Sequence, residues 1–159
     1  MGERKPVLRR ASEKDFEAVL DLACQLADHI QAPRPPLTMQ MYEKFYLRPG
    51  APMQLVVAVE GERVVGMISW TLTHELYSAE ARVYISDLVV GAGARGRGIG
   101  GALMNEAAAW ARAHGVHKLG WDVWRFNETA KRFYERFGAH PDEEAIPYAL
   151  SLKGSERSI

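Results

Sequence analysis

Asp87-Leu88-Val89-Val90-Gly91-Ala92-Gly93-Ala94-Arg95-Gly96-Arg97-Gly98-Ile99-Gly100-Gly101 is the stretch that decides how this chain is read. A β-rich run over residues 82–90 enters a glycine-rich loop, residues 91–101, and the loop runs into a helix over residues 99–113. The helix carries an apolar stripe at Ile99, Leu103, Ala107, Trp110 and Ala111, and Gly115 follows as a stop signal. Glycines let backbone N–H groups approach an anion closely, and a helix N-terminus adds its dipole. Arg95 and Arg97 bring positive charge to the same mouth, although each also has the plain reading of a solvated loop residue. A pyrophosphate is the ligand that such a loop suits.

Working outward, residues 7–9 read as a short strand, and Ser12-Glu13-Lys14-Asp15 has capping-box spacing. Phe16, Val19, Leu20, Ala23, Leu26, Ala27 and Ile30 then recur at helical spacing until Pro33, Pro35 and Pro36 stop the helix. Thr38 caps a second helix through Tyr46, closed by Pro49-Gly50. Residues 54–60 and 64–72 are β-rich around Gly61-Glu62-Arg63, a hairpin signal. Downstream, residues 118–124 read as a strand, 127–137 as a helix and 147–152 as a last strand. The order β-α-α-β-β-β-α-β-α-β puts hairpins first and a β-α-β crossover later. That is α+β, with a mixed, partly antiparallel central sheet flanked by helices.

A chain of 159 residues is expected to form one domain, 1–159, with a core of its own. Its 47% hydrophobic and 25% charged content is that of a globular protein. Twenty basic and twenty acidic side chains cancel, so nothing global draws the chain to nucleic acid or an anionic membrane. Cys24 is the only cysteine, which excludes an internal disulfide framework and a cysteine-based metal cluster, and no metal is expected. Its helix-patterned surroundings give Cys24 a packing role. Residues 1–10 lack the apolar core of a signal peptide, and no apolar run approaches the ~20 residues of a membrane span. A cytoplasmic location is expected.

Which pyrophosphate the loop takes is a separate question. Gly91, Gly93 and Gly96 fit the dinucleotide spacing G-x-G-x-x-G, as do Gly96, Gly98 and Gly101. That reading requires a parallel βαβ unit and an acid about 20 residues on, at the end of the next strand. Asp122 lies near that distance but is followed by more strand-like sequence, and a dinucleotide half rarely follows a hairpin meander.

Arg95-Gly96-Arg97-Gly98-Ile99-Gly100 also carries a family signature: an Arg or Gln, two residues, Gly, one residue, then Gly or Ala. It resembles the GNAT superfamily of N-acetyltransferases. Asn127 through Gly138 resembles that superfamily's second motif, an asparagine followed seven residues later by a tyrosine, here Tyr134. The resemblance covers nearly the whole chain, including Leu8-Arg9-Arg10-Ala11-Ser12. It implies the GNAT fold, in which the strand before the loop splays from its neighbour at the cofactor cleft. It implies acetyl-coenzyme A as cosubstrate and an amine as acceptor. The backbone of Leu88, Val89 and Val90 would pair with pantetheine, and Arg95, Gly96, Arg97, Gly98, Ile99, Gly100 and Gly101 would hold the pyrophosphate. Asn127 would sit near the pantetheine arm, and Tyr134 near the sulfur as its proton donor. Tyr134 also falls on the stripe of Ala130, Phe133 and Phe137, which suits a core residue, and Asn127 is a good helix N-cap.

Asp87, on the key strand, is the candidate general base, with Tyr84, His74 and Glu80 as rivals. Residues 83–90 and 133–139 are similar to the corresponding segments of diamine and polyamine acetyltransferases. Those enzymes carry a glutamate where this chain has Ser86, a departure at the expected base. Glu75, Glu80, Asp87, Asp142, Glu143 and Glu144 are acids that can line an amine site, and Trp70, Trp121 and Trp124 can stack on a cation or fill core. Three functions stay open. An acetyltransferase for a small amine leads, followed by one for a protein lysine, an N-terminus or an aminoglycoside, and then a non-catalytic coenzyme A-binding module. Assembly as a homodimer is left open. Valine at Gly98 or Gly100 is expected to block the pyrophosphate while sparing the fold.

Overall fold

The computed structural model describes residues 5–143 and 146–151. Two compact units divide the chain, Met1–Asp122 and Val123–Ile159. In the first, β1 (Val7–Arg10), β2 (Gln54–Glu60), β3 (Arg63–Glu75), β4 (Glu80–Val90) and β5 (Leu119–Gly120) form one sheet in that order. The first four strands pair antiparallel, and β5 adds to β4 in parallel. Helices α1 (Phe16–His29) and α3 (Ile99–Ala113) pack on the sheet, and α2 (Met39–Tyr42) passes directly into a π-helical turn, Glu43–Leu47. The α+β order expected from the sequence, a mixed and mostly antiparallel sheet flanked by helices, is what forms.

Side chains alternate across a strand, so each sheet face is read from register. Met67 and Val89 are paired and bury with Leu55 and Val57 against Phe16, Val19, Leu22 and Tyr42. Gly66 and Trp70 face the other way, toward α3. Trp70 meets the edge of Trp110 at 5.8 Å. A Cβ on Gly66 would come within 3.0 Å of the Val89 carbonyl and 3.3 Å of both Ile99 and Leu103, so glycine lets α3 lie close.

β4 contains an extra residue. Ser69 pairs with Asp87 while the next residue, Trp70, pairs with Ile85, leaving Ser86 as a bulge. Regular pairing would have set Asp87 beside Ile68, which is fully buried on the α3 face. The bulge turns Asp87 onto the face that carries α1 and α2 instead.

Two strands differ from the sequence reading. Only Leu119–Gly120 of residues 118–124 pairs, because the chain turns at Trp124, whose carbonyl accepts from the Asn127 N–H at 2.9 Å. Residues 147–151 show strand-like alternation but are irregular, and Leu152 lies outside the described residues. A strand requires a neighbour for its peptide groups. That segment has none among the described residues, and Ile146, Tyr148 and Leu150 are exposed. In the second unit, α4 (Glu128–Glu135) is shorter than the 127–137 read from sequence. No helix among the described residues is long and apolar enough to cross a membrane.

A part-buried network ties β1 to the start of α1. Arg9 forks onto Asp15 at 2.7 and 2.8 Å, and the Ser12 N–H and hydroxyl donate to the same carboxylate at 2.8 and 2.9 Å. The fully buried Tyr42 donates to the Ser12 carbonyl at 3.1 Å. The Arg9 guanidinium first, and then Ser12, hold the Asp15 carboxyl down to about 2 from an ordinary 3.8, against the opposing effect of burial. A depressed carboxylate stabilises the fold above its unfolded pKa, and that stability is lost as pH falls through the folded value. The difference in urea-unfolding stability between the parent and Asp15→Asn should therefore be constant above about pH 5 and shrink from there toward pH 2. Arg9 is half exposed, so solvent screening keeps the effect at or below about 2 kcal/mol.

Candidate active site

β4 ends where Gly91 turns the chain out of the sheet. The Gly91 N–H donates to the Val65 carbonyl on the β3 side at 2.9 Å. Strand alternation turns the peptide groups of Val90 to the opposite edge. There the Val90 carbonyl accepts from Arg95 Nε at 3.1 Å. This is the edge that β5 leaves open, because the β4–β5 ladder covers only Val83 and Tyr84. The Val90 N–H shares that edge.

Ala92–Ala94 form one 3-10 turn, and the Ala92 N–H donates to Gln25 of α1 at 3.2 Å. Gly96 and Gly98 both have φ of +76°, and an added Cβ at either would meet open space. Backbone conformation rather than crowding selects glycine at both. Gly98 is the N-cap of α3 and has no side chain to offer its first turn. The Ala102 N–H bonds back to the Gly98 carbonyl at 3.0 Å. The N–H groups of Ile99, Gly100 and Gly101 precede it and have no acceptor within the helix. They concentrate the positive end of the helix dipole, which suits a diphosphate. Arg97 lies between the two glycines and forks onto Glu60 at 2.6 and 3.1 Å.

Asp87 is half-buried and accepts from the Ser69 hydroxyl at 2.8 Å. Tyr46, from the π-helical turn, packs on the cluster containing Met67 and Val89, with its ring 5.9 Å from that of Tyr42. Burial raises the Tyr46 phenol, and the charge of Asp87 raises it further. Tyr84 donates to Asp122 at 2.5 Å, and burial followed by that bond pushes its phenol up to about 12. His74 and Glu80 are exposed near the closed end of the β3–β4 hairpin, remote along the strands from Asp87. Glu75, at that same end, faces Arg82 at 3.8 Å. Trp70 is core, at 1% exposed, whereas Trp121 is half-buried and Trp124 exposed.

In the second unit, Asn127 caps α4, its side-chain oxygen accepting from the Ala130 N–H at 3.1 Å. Tyr134 lies on α4, edge-on to Phe133 at 5.1 Å, and burial raises its phenol pKa. Asp142 and Glu143 are exposed there, and Glu144 lies outside the described residues. Among the described residues, no cluster of three His, Cys, Asp or Glu side chains is placed to hold a metal.

Sequence reasoning missed Glu60, Gln25, Ser69 and Tyr46. Ser69 alone leaves a signal, as the one polar side chain in the run Val64-Val65-Gly66-Met67-Ile68-Ser69-Trp70. The others are brought to the site by pairing and packing that local sequence does not encode.

A family model described as "Acetyltransferase (GNAT) family" matches residues 15–139. No curated protein matches the chain significantly. Among solved structures, a transcriptional regulator from Bacillus halodurans is 26% identical, with a TM-score of 0.77, over 91% of this chain and 99% of that one. An acetyltransferase from Trypanosoma brucei is 26% identical, with a TM-score of 0.73, over the same shares. An aminoglycoside acetyltransferase from an uncultured soil metagenomic sample, 18% identical, shares the fold with a TM-score of 0.77 over 93% of this chain and 97% of that one.

The positive φ of Gly98 changes one expectation. Any side chain there is strained, whereas Gly100 sits inside the first turn of α3. Gly98→Ala should lower urea-unfolding stability by about 1 kcal/mol, and Gly100→Ala should leave it unchanged or slightly higher.

Proposed function

Because the chain belongs to the acetyltransferase (GNAT) family, we propose that it moves an acetyl group from acetyl-coenzyme A to a small primary amine, of diamine or polyamine kind. One observation carries the reading: the glycine-capped end of α3 stands beside the open edge of β4. Three N–H groups without an acceptor in the helix suit a diphosphate, and the β4 edge beyond Tyr84, which no strand covers among the described residues, suits the amides of pantetheine. The bound thioester would supply an electrophilic acetyl carbon and a thiolate leaving group. The family match spans both compact units, which favours one working domain over residues 1–159.

Within this reading the N–H groups of Ile99, Gly100 and Gly101 hold the diphosphate, and Arg95 and Arg97 stand at its mouth. Leu88 turns its peptide groups to the same open edge as Val90 and pairs with pantetheine, whereas Val89 directs its own to Met67 of β3. The Val90 N–H bonds the acetyl oxygen as charge builds on it. An alkylamine of pKa about 10.4 is neutral in only about one molecule in 2,500 at pH 7, so deprotonation costs about 4.6 kcal/mol unless assisted. Asp87 takes that proton. The N–C bond forms as the C–S bond breaks, and Tyr134 gives the departing sulfur a proton. The second proton, shed by the new amide nitrogen, returns the tyrosine to its neutral form through solvent. Asn127 orients the arm beside it. The raised Tyr134 phenol suits a group that stays protonated until it is needed. No covalent enzyme intermediate is required.

Acetyl-coenzyme A should raise the melting temperature and NAD should not. A ligand at a hundred times its Kd adds about 2.7 kcal/mol to the native state. Stabilisation by NAD alone would return the loop to the dinucleotide reading. Tyr134→Phe keeps the ring, so it should lower kcat by roughly 10²–10⁴ while the KM for acetyl-coenzyme A holds. The loss should shrink with an acyl donor whose thiol is more acidic. Turnover at the parent rate would make Tyr134 a packing residue.

A further inference from the structure

We propose that Ser69 is a positioning residue that fixes the carboxylate of Asp87 for proton transfer, a role that rests on reading Asp87 as the base. Ser69 is 2% exposed in the middle of β3, between Ile68 and Trp70, both of which are buried. A hydroxyl in a strand interior needs a partner, and without one it costs about 1–3 kcal/mol. An alanine would avoid that requirement. The partner Ser69 has is Asp87 Oδ2, at 2.8 Å across the strand pair.

The contact exists only because of the bulge. Pairing without the extra residue would set Ser69 opposite Ser86 and put Asp87 on the α3 face. With it, Asp87 emerges half-buried next to Val89, on the face where Tyr46 packs. Ser69 thus fixes one carboxylate oxygen from inside the sheet, on the face where Tyr46 packs. Oδ1 is the oxygen assigned to the proton of the amine. A carboxylate half-exposed on a strand turns about its side-chain torsions. One hydrogen bond from a buried, rotamer-restricted donor removes that freedom before the acceptor arrives. This is how a group that never touches substrate changes a rate, and a misplacement of about 1 Å costs on the order of a hundredfold.

The test is a double-mutant cycle using whichever amine is acetylated fastest among 1,4-diaminobutane, spermidine, an aminoglycoside and a lysine peptide. Ser69→Ala should lower kcat roughly tenfold to a hundredfold with the KM for acetyl-coenzyme A unchanged, and Ser69→Thr should restore most of the rate. In the Asp87→Asn background the same alanine should cost nothing further, because the group it positions is already gone. If Ser69→Ala fails to fold, Ser69→Cys keeps the size with a weaker donor and takes its place in the cycle. Parent turnover in Ser69→Ala, or equal losses in both backgrounds, overturns the proposal. Parent turnover in Asp87→Asn also overturns it, and identifies the assignment of the base as the part that failed.

Discussion

Parallel pairing between β4 and β5 stops at Tyr84, and much else in the first unit answers to that stop. A strand edge leaves its N–H and C=O groups to be satisfied elsewhere. The Val90 carbonyl is satisfied by Arg95, a residue of the loop that β4 itself feeds, so loop and open edge are fixed by one bond. The other side of the turn is held too, by Gly91 on Val65 and by Ala92 on Gln25. The loop is therefore anchored at its start on both β3 and α1. It reaches α3 through two left-handed glycines, which no other residue type would occupy without strain.

Helix α3 reaches its position through Gly66, which removes the side chain that would hold Ile99 and Leu103 away. The first turn of α3 is thereby seated on the sheet while its N–H groups stay directed out of the helix end. Packing and ligand geometry are coupled in this way. Ile99 is buried beneath the same turn whose amides are open.

Legibility in the sequence followed the range of the interactions involved. Residues 54–60 and 99–113 match β2 and α3 end to end, because alternation and 3.6-residue periodicity are local and both elements are bounded by glycine or proline signals. The capping spacing at Ser12 also led to the right place, although Asp15 spends its carboxylate on Arg9 as well as on Ser12. Residues 118–124 and 147–152 have strand-like composition, yet whether a strand forms depends on a partner that composition does not name. The bulge at Ser86 is a property of the β3–β4 pair and of neither strand alone. Asp87 was identifiable as a candidate base for its position before the glycine loop, but its face, and hence Ser69 and Tyr46 as its neighbours, was not. The π-helical turn that carries Tyr46 replaces the last part of a helix read as continuous through residue 46.

Charge at the loop mouth is smaller than the sequence suggests. Arg95 and Arg97 read as two free cations, but Arg95 donates to a carbonyl and Arg97 forks onto Glu60. Exposed ion pairs of that kind contribute only about 0–1 kcal/mol, because solvent competes for both partners. Arg97 can therefore exchange Glu60 for an incoming phosphate at little cost, and equally little attraction is gained by the exchange. Most of the preference for an anion then falls to groups that have no partner to exchange, the N–H groups of Ile99, Gly100 and Gly101. Their orientation is fixed by the helix and by the bare cap at Gly98. On the function proposed, backbone conformation at two glycines, more than the arginines beside them, is what would give this loop an affinity for a diphosphate.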